Sequence, residues 1–300
     1  MNPIKLSVKN ITYYYDKFKA LNNMSFDLEE NQIMGLIGRN GSGKTTLLKV
    51  IAHQLLQSDG EIIIDQNNFS QCADNQNKIC LARETLGKTF EMTEVMKVKM
   101  IFDLAANLYE NWDNDYAQYL VKRFKLSTNK KYNKISKGMK TTVGIIMGLA
   151  SRAPITLFDE PYVGLDPVSR EIFYTELQKD YSLNPRTFII SSHLINELEG
   201  MFERVLIIDE GEIIIDNTVD ALKDRYYLLQ GRKDSIESYR SHFKVMNVET
   251  IGSLASYSIE GPLSDQIIRQ MRADEIDISM ISLQKLLYHL TNGGENNEER

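Results

Sequence analysis

Residues Gly38-Arg39-Asn40-Gly41-Ser42-Gly43-Lys44-Thr45 fit the spacing G-x-x-x-x-G-K-[ST]. Glycines at these positions let the backbone curl so that several N–H groups point at one anion. A helix beginning at the lysine adds partial positive charge. Lys44 then supplies a point charge to β- and γ-phosphate oxygens, and the Thr45 hydroxyl is a ligand for Mg²⁺. A bare glycine turn without a ligand is the plain alternative. A second phrase argues against it: Ile155-Thr-Leu-Phe-Asp159-Glu160, an apolar run ending in two carboxylates. Asp159 is placed to hold Mg²⁺, directly or through water. Glu160 is placed to polarise an attacking water as a general base. Alone, such a pair also fits a solvated strand end.

These groups need strands and helices to carry them. Gln32–Ile37 is a short apolar run that meets the glycines, and Lys44–Leu56 has helical character. Ile155–Phe158, Thr187–Ile190 and Val205–Ile208 are further short apolar runs, ending in Asp159-Glu160, Ser191-Ser192-His193 and Asp209. Runs of this kind read as buried parallel strands, and with helices between them the class is α/β. Residues 86–150 read as mainly helical, with apolar spacing of three and four over Val95–Tyr109 and Tyr116–Phe124. The stretch Gly60-Glu-Ile-Ile-Ile-Asp65 recurs at Gly211–Asp216. The flanks differ, so two unrelated hairpin strands are preferred to an internal repeat. Residues 1–225 are expected to form the nucleotide-binding domain. Residues 226–300 are expected to form a small α/β appendage, with helices at Ser264–Arg272 and Ser282–Leu290, a strand at Ile276–Ile281 and a frayed polar end.

Composition narrows the class. The chain is 42% hydrophobic and 25% charged, ordinary values for a protein that buries a core. A net charge of −6 argues against a dedicated nucleic-acid binder. Cys72 and Cys80 read as reduced thiols, with no zinc-like spacing. The first residues lack a secretory signal pattern. The longest apolar run considered, Val143–Ala150, falls far short of the ~20 residues that cross a bilayer. Any work at a membrane is expected to go through a partner.

With these motifs in their order, the chain resembles the ATP-binding cassette subunits of ABC transporters over about Leu6 to Asp216. The resemblance implies an ABC-type P-loop ATPase with an antiparallel β subdomain and a helical subdomain, using ATP and Mg²⁺. Tyr15 stands where the family stacks an aromatic on adenine; Tyr13 and Tyr14 are adjacent, and edge-strand packing is the other reading. Gly38–Thr45 with Thr46 is the family's phosphate loop. Ile135-Ser136-Lys137-Gly138-Met139-Lys140 stands at its signature, which would serve the opposite subunit's ATP. Gly164-Leu165-Asp166-Pro167 matches the segment facing that subunit, and Ser192-His193 matches the switch histidine at the γ-phosphate. The implied partners are a second cassette subunit, identical or not, and an integral membrane permease, at the cytoplasmic face of the cell membrane.

Three departures stand out. Lys137 and Met139 replace signature residues, and Lys137 either adds charge near phosphate or points to solvent. Glu84 stands near the family's mobile glutamine, where it either ligates Mg²⁺ or pairs with Arg83. The phrase Leu108-Tyr-Glu-Asn-Trp-Asp113, with Ser282–Gly293, resembles the ABC-2 (YtrB-like) export branch, which includes exporters of toxic amphipathic peptides. The expectation is therefore export of peptide, toxin or drug. A regulatory or non-transport ABC ATPase with little turnover is the alternative. Met92, Val95, Met96 and Met100 are either an adaptable docking surface for the permease or helix core.

Overall fold

The computed structural model describes residues 5–64, 67–68, 77–84, 95–192 and 199–292, so Cys72, Met92 and His193 lie outside the described residues. The chain divides into two units, Met1–His193 with Leu206–Asp216, and Leu194–Val205 with Asn217–Arg300. Along the first run β1 (Leu6–Tyr15), β2 (Phe18–Leu28), β3 (Ile33–Ile37), α1 (Lys44–Ile51), β4 (Asp59–Ile64), β5 (Asn67–Asn68) and β6 (Ile79–Ala82). Then come α2 (Val98–Leu108), α3 (Asn114–Arg123), α4 (Lys137–Ala150), β7 (Ile155–Asp159), α5 (Pro167–Leu183), β8 (Thr187–Ser192), β9 (Arg204–Asp209) and β10 (Glu212–Thr218).

Two sheets result. One is ordered β2-β1-β4-β5 and the other β10-β9-β3-β8-β7-β6. In the first, β1 pairs antiparallel with both β2 and β4. In the second, β3–β8, β7–β8 and β6–β7 are parallel. All five residues of β3 and all six of β8 are buried, as expected where both faces of a parallel sheet are covered. Helix α1 fills the space between the sheets. Leu47, Leu48, Val50 and Ile51 share one buried cluster with Leu6, Val8 and Ile11 of the antiparallel sheet and Met34, Leu36, Ile155 and Leu157 of the parallel one. At ~25 cal/mol per Å² of apolar surface, this burial is the main force that seats the helix.

The sequence patterns overran some boundaries. Helix α1 stops at Ile51 rather than Leu56, because His53 takes a left-handed φ of 55° and the Gln54 amide turns back to Lys49 O at 2.8 Å. Helix α2 starts at Val98, since Lys97 is extended. The near-repeat splits between sheets: Gly60–Ile64 lies in β4, and Glu212–Asp216 lies in β10.

An ion network braces the start of β7. Arg152 donates to Asp113 Oδ2 at 2.9 Å and to Asp180, which also takes Arg186 Nη2 at 2.7 Å. Asp180 and Arg186 are buried and tolerate it because each charge has a bonded opposite. Asp113, from the phrase singled out above, also caps α3 by accepting the Tyr116 amide.

The second unit contains α6 (Val219–Lys223), β11 (Tyr226–Arg232), α7 (Lys233–Glu237), β12 (Lys244–Ile251), β13 (Leu254–Glu260), α8 (Asp265–Ala273), β14 (Asp277–Met280) and α9 (Leu283–Asn292). Its antiparallel sheet is ordered β12-β13-β11-β14. Leu229, Ile236, Tyr257, Ile259, Met271 and Ile276 form its own core. Ser264 caps α8 through the Ile267 amide.

Candidate functional site

The loop from Gly38 to Gly43 joins β3 to α1. Gly43 sits at φ 105°, and a Cβ there would stand 2.8 Å from Ala20 O, so both backbone conformation and space demand glycine. As the residue preceding α1 it contributes no side-chain cap. The first amides of the helix therefore stay open to an external anion. Lys44 is 5% exposed, and its Nζ donates to Gly38 O at 2.7 Å and Arg39 O at 2.9 Å. Burial pulls the ammonium pKa below its ordinary value, while Glu160 and Asp159 oppose that pull.

The carboxylates arrive from β7. Thr45 Oγ1 donates to Asp159 Oδ1 at 3.0 Å, and Ser191 Oγ donates to the same oxygen at 2.9 Å. Ser191 Oγ also accepts the Glu160 amide at 2.9 Å. Glu160 takes a left-handed φ of 51°, a costly conformation for a non-glycine residue and one that clusters at functional sites. Buried Tyr162 donates its hydroxyl to Glu160 Oε2 at 2.8 Å and so orients the carboxylate.

These groups face a cleft of about 490 Å³ lined by Tyr15, Phe18, Ala20, Asn40, Gly41, Gly43, Lys44, Thr45, Thr46, Glu160 and Val163. That is the size range of small-ligand sites. Tyr15 presents a half-exposed ring with its hydroxyl 3.5 Å from Thr46 Oγ1. Ser42 Oγ is buried without a hydrogen-bond partner among the described residues. Open amides, a buried ammonium bonded only to carbonyls, and an unpartnered hydroxyl fit a polyphosphate. The neighbouring oxygens of Thr45 and Asp159 fit Mg²⁺, which takes few protein ligands and completes its shell with phosphate and water.

The other expected residues divide. Arg39 lies in the loop and is exposed. Ser136 precedes α4 and accepts the Met139 amide at 3.3 Å. Lys137 Nζ lies 3.3 Å from Glu84 Oε2. Glu84 thus stands on the signature lysine, not with Thr45 and Asp159 and not on Arg83. Gly138 packs on the Gly164 segment; a Cβ would fall 2.2 Å from Gly164 O. Leu165 is buried, and Asp166 caps α5 through the Ser169 amide at 2.8 Å. His193 lies outside the described residues. Sequence reasoning missed Phe18, Val163, Tyr162 and Ser191. The signal for Ser191 was its place at the end of a neighbouring strand, where the register sets it opposite Asp159.

The model of the family described as "ABC transporter" matches residues 21–163. The ABC transporter ATP-binding protein NatA of Bacillus subtilis (strain 168) is 30% identical over 207 residues, which are 68% of this chain and 84% of that protein. The chain belongs to the ABC transporter ATP-binding proteins. ABC transporter ATP-binding protein YtrB of the same strain is 26% identical over 75% of this chain and 76% of its own length. The spermidine/putrescine import ATP-binding protein PotA of Thermotoga maritima is 27% identical over 70% of this chain and 57% of its own. Among solved structures, the dimeric ATP-binding cassette MJ0796 bound to ADP and Pi superposes with a TM-score of 0.61 at 24% identity, covering 71% of this chain and 98% of that one. The ABC cassette fold expected from the motifs is the fold observed.

Proposed function

We propose that this ATP-binding subunit hydrolyses ATP in the cleft between Tyr15 and Glu160 with the help of Mg²⁺, and so drives a separate membrane permease. The observation that carries the reading is the 3.0 Å contact of Thr45 with Asp159 beside the buried Lys44. The α1 amides and Lys44 hold the β- and γ-phosphates, and Tyr15 stacks on the base. Thr45 and Asp159 would hold Mg²⁺, which when bound would supply charge neutralisation for the phosphates. Glu160, oriented by Tyr162, accepts the proton of the attacking water. His193 contacts the γ-phosphate.

A second cassette subunit supplies its Ser136–Gly138 segment to this ATP and receives the same in return, with Gly164–Asp166 at the contact. Residues 1–225 act as the cassette and 226–300 as an accessory domain. The permease docks beside α2. There Val95 is 63% exposed and Met100 41% exposed, and Leu104 and Leu108 continue an apolar stripe at helical spacing. Among the described residues no helix is long and apolar enough to cross a membrane. A place at the cytoplasmic membrane face therefore comes through the permease.

The resemblance of the Leu108–Asp113 phrase to the export branch supports export of peptide, toxin or drug, whereas the likeness to PotA, an import protein by name, supports the opposite direction. Copurification of the permease from membranes, followed by vesicle transport of candidate peptides, tests direction and cargo. A low-turnover regulatory ATPase is the second reading, favoured by the Lys137–Glu84 pair at the altered signature. Steady-state turnover of the purified protein separates the two: measurable Mg²⁺-dependent hydrolysis, abolished in Glu160→Gln with ATP binding kept, supports the motor.

A further inference from the structure

Strand parity decides which residues at the end of β6 can see the nucleotide. In a strand, alternate side chains point to opposite faces. β6 runs parallel to β7 with Ala82 opposite Phe158. Ile79 and Leu81, with Ile155 and Leu157, pack into the cluster that holds α1. Cys80 and Phe158 face the other way, with Cys80 Sγ 3.9 Å from Met147 O of α4 and the Phe158 ring 5.3 Å from that of Phe173 on α5. By the same alternation Arg83, the residue just past β6, turns to the α1 face, where the charge of Asp159 acts on it. Glu84 lies in the bend that follows, and its carboxylate meets Lys137 of α4.

Arg83 is half-buried, and its Nε is buried without a hydrogen-bond partner among the described residues. Burial draws its pKa down, while the charge of Asp159 and the nearby Tyr132 and Tyr15 act in the opposite sense. A guanidinium taken partly out of water with no bonded acceptor is costly. An anion in the cleft that Tyr15 lines would relieve that cost.

We propose that Arg83 is a phosphate-binding residue of this nucleotide site, a second fixed cation besides Lys44, and that Arg83 rather than Glu84 is the side chain this segment presents to the nucleotide. The inference rests on the ATP site proposed above. A guanidinium matches phosphate oxygens in a planar fork and keeps its charge at any working pH. Because it also balances Asp159, it sustains nucleotide binding when Mg²⁺ is absent.

The test is a titration of the full chain with a fluorescent ATP analogue, in EDTA and in saturating Mg²⁺, for wild type, Arg83→Gln, Arg83→Lys and Lys44→Ala. Melting points report the fold of each. Arg83→Gln is expected to bind about tenfold more weakly in EDTA, the effect of one charge-assisted hydrogen bond, with a smaller loss in Mg²⁺. Arg83→Lys is expected to retain most of the affinity. Wild-type affinity for Arg83→Gln in EDTA overturns the inference while the ATP site stands, provided Lys44→Ala has lost binding. Equal loss in the Gln and Lys variants shows that the charge is not what contributes, and overturns it too. A wild type that binds no nucleotide removes the proposed site and this inference together.

Discussion

Two helix N-termini in the first unit, those of α1 and α4, carry glycine-containing motifs with a lysine beside the glycine, and they differ in what they leave open. At α1 the preceding residue is Gly43, no side chain caps the first turn, and the lysine is buried against loop carbonyls. At α4 the preceding residue is Ser136, whose hydroxyl already takes the Met139 amide, and the lysine is exposed and paired with Glu84. An anion reaching α1 finds unpaired donors. An anion reaching α4 must displace a hydroxyl and compete with a carboxylate. Similar chemistry at two helix starts thus gives one end open to a ligand and one closed on itself.

The sharpest way to break this comparison is at the open end. Glu160→Gln should lower steady-state hydrolysis by about 10²- to 10⁴-fold, the range of a lost general base, with ATP binding retained in a filter assay. Unchanged turnover would remove Glu160 from the chemistry. Next comes the packing under the closed end. Gly138→Ala forces a methyl to 2.2 Å from Gly164 O, and should cost about 1–3 kcal/mol in urea unfolding. A stability equal to wild type would mean that α4 does not rest on that turn.

Ser136→Ala should cost about 1 kcal/mol, the usual loss for an N-cap, while leaving the monomer's affinity for the nucleotide in its own cleft unchanged. A comparable fall in that affinity would show that the two ends are not separate. The smallest effect belongs to the Lys137–Glu84 pair. Both side chains are substantially exposed, so a double-mutant cycle with Lys137→Ala and Glu84→Gln should give a coupling of at most about 1 kcal/mol, fading as salt rises. A larger, salt-insensitive coupling would make that pair a structural clamp.

Much of this was legible before folding. The parallel strands β3, β7 and β8, and β9 beside β3, announced themselves as short apolar runs, because a strand covered on both faces needs no polar alternation. The phosphate loop was legible residue by residue. Boundaries were less so: α1 ends early because His53 turns left-handed, which no apolar spacing signals. Ser191 escaped notice because it matters through a contact with a carboxylate on another strand, and Tyr162 because only the folded turn brings its hydroxyl back to Glu160. The functional assignment of Glu84 went by position along the chain, whereas its neighbour, Lys137 of α4, follows from how the bend after β6 meets that helix.

The sequence by itself determined the phosphate loop, the paired carboxylates and the order of motifs, because their chemistry resides in contiguous backbone and neighbouring side chains. Tertiary structure decided that the charge of Asp159 acts on Arg83 while Glu84 joins Lys137. The physical reason is that a strand's two faces become distinct only when different helices cover them. Here α1 lies over one face of the parallel sheet and α4 and α5 over the other.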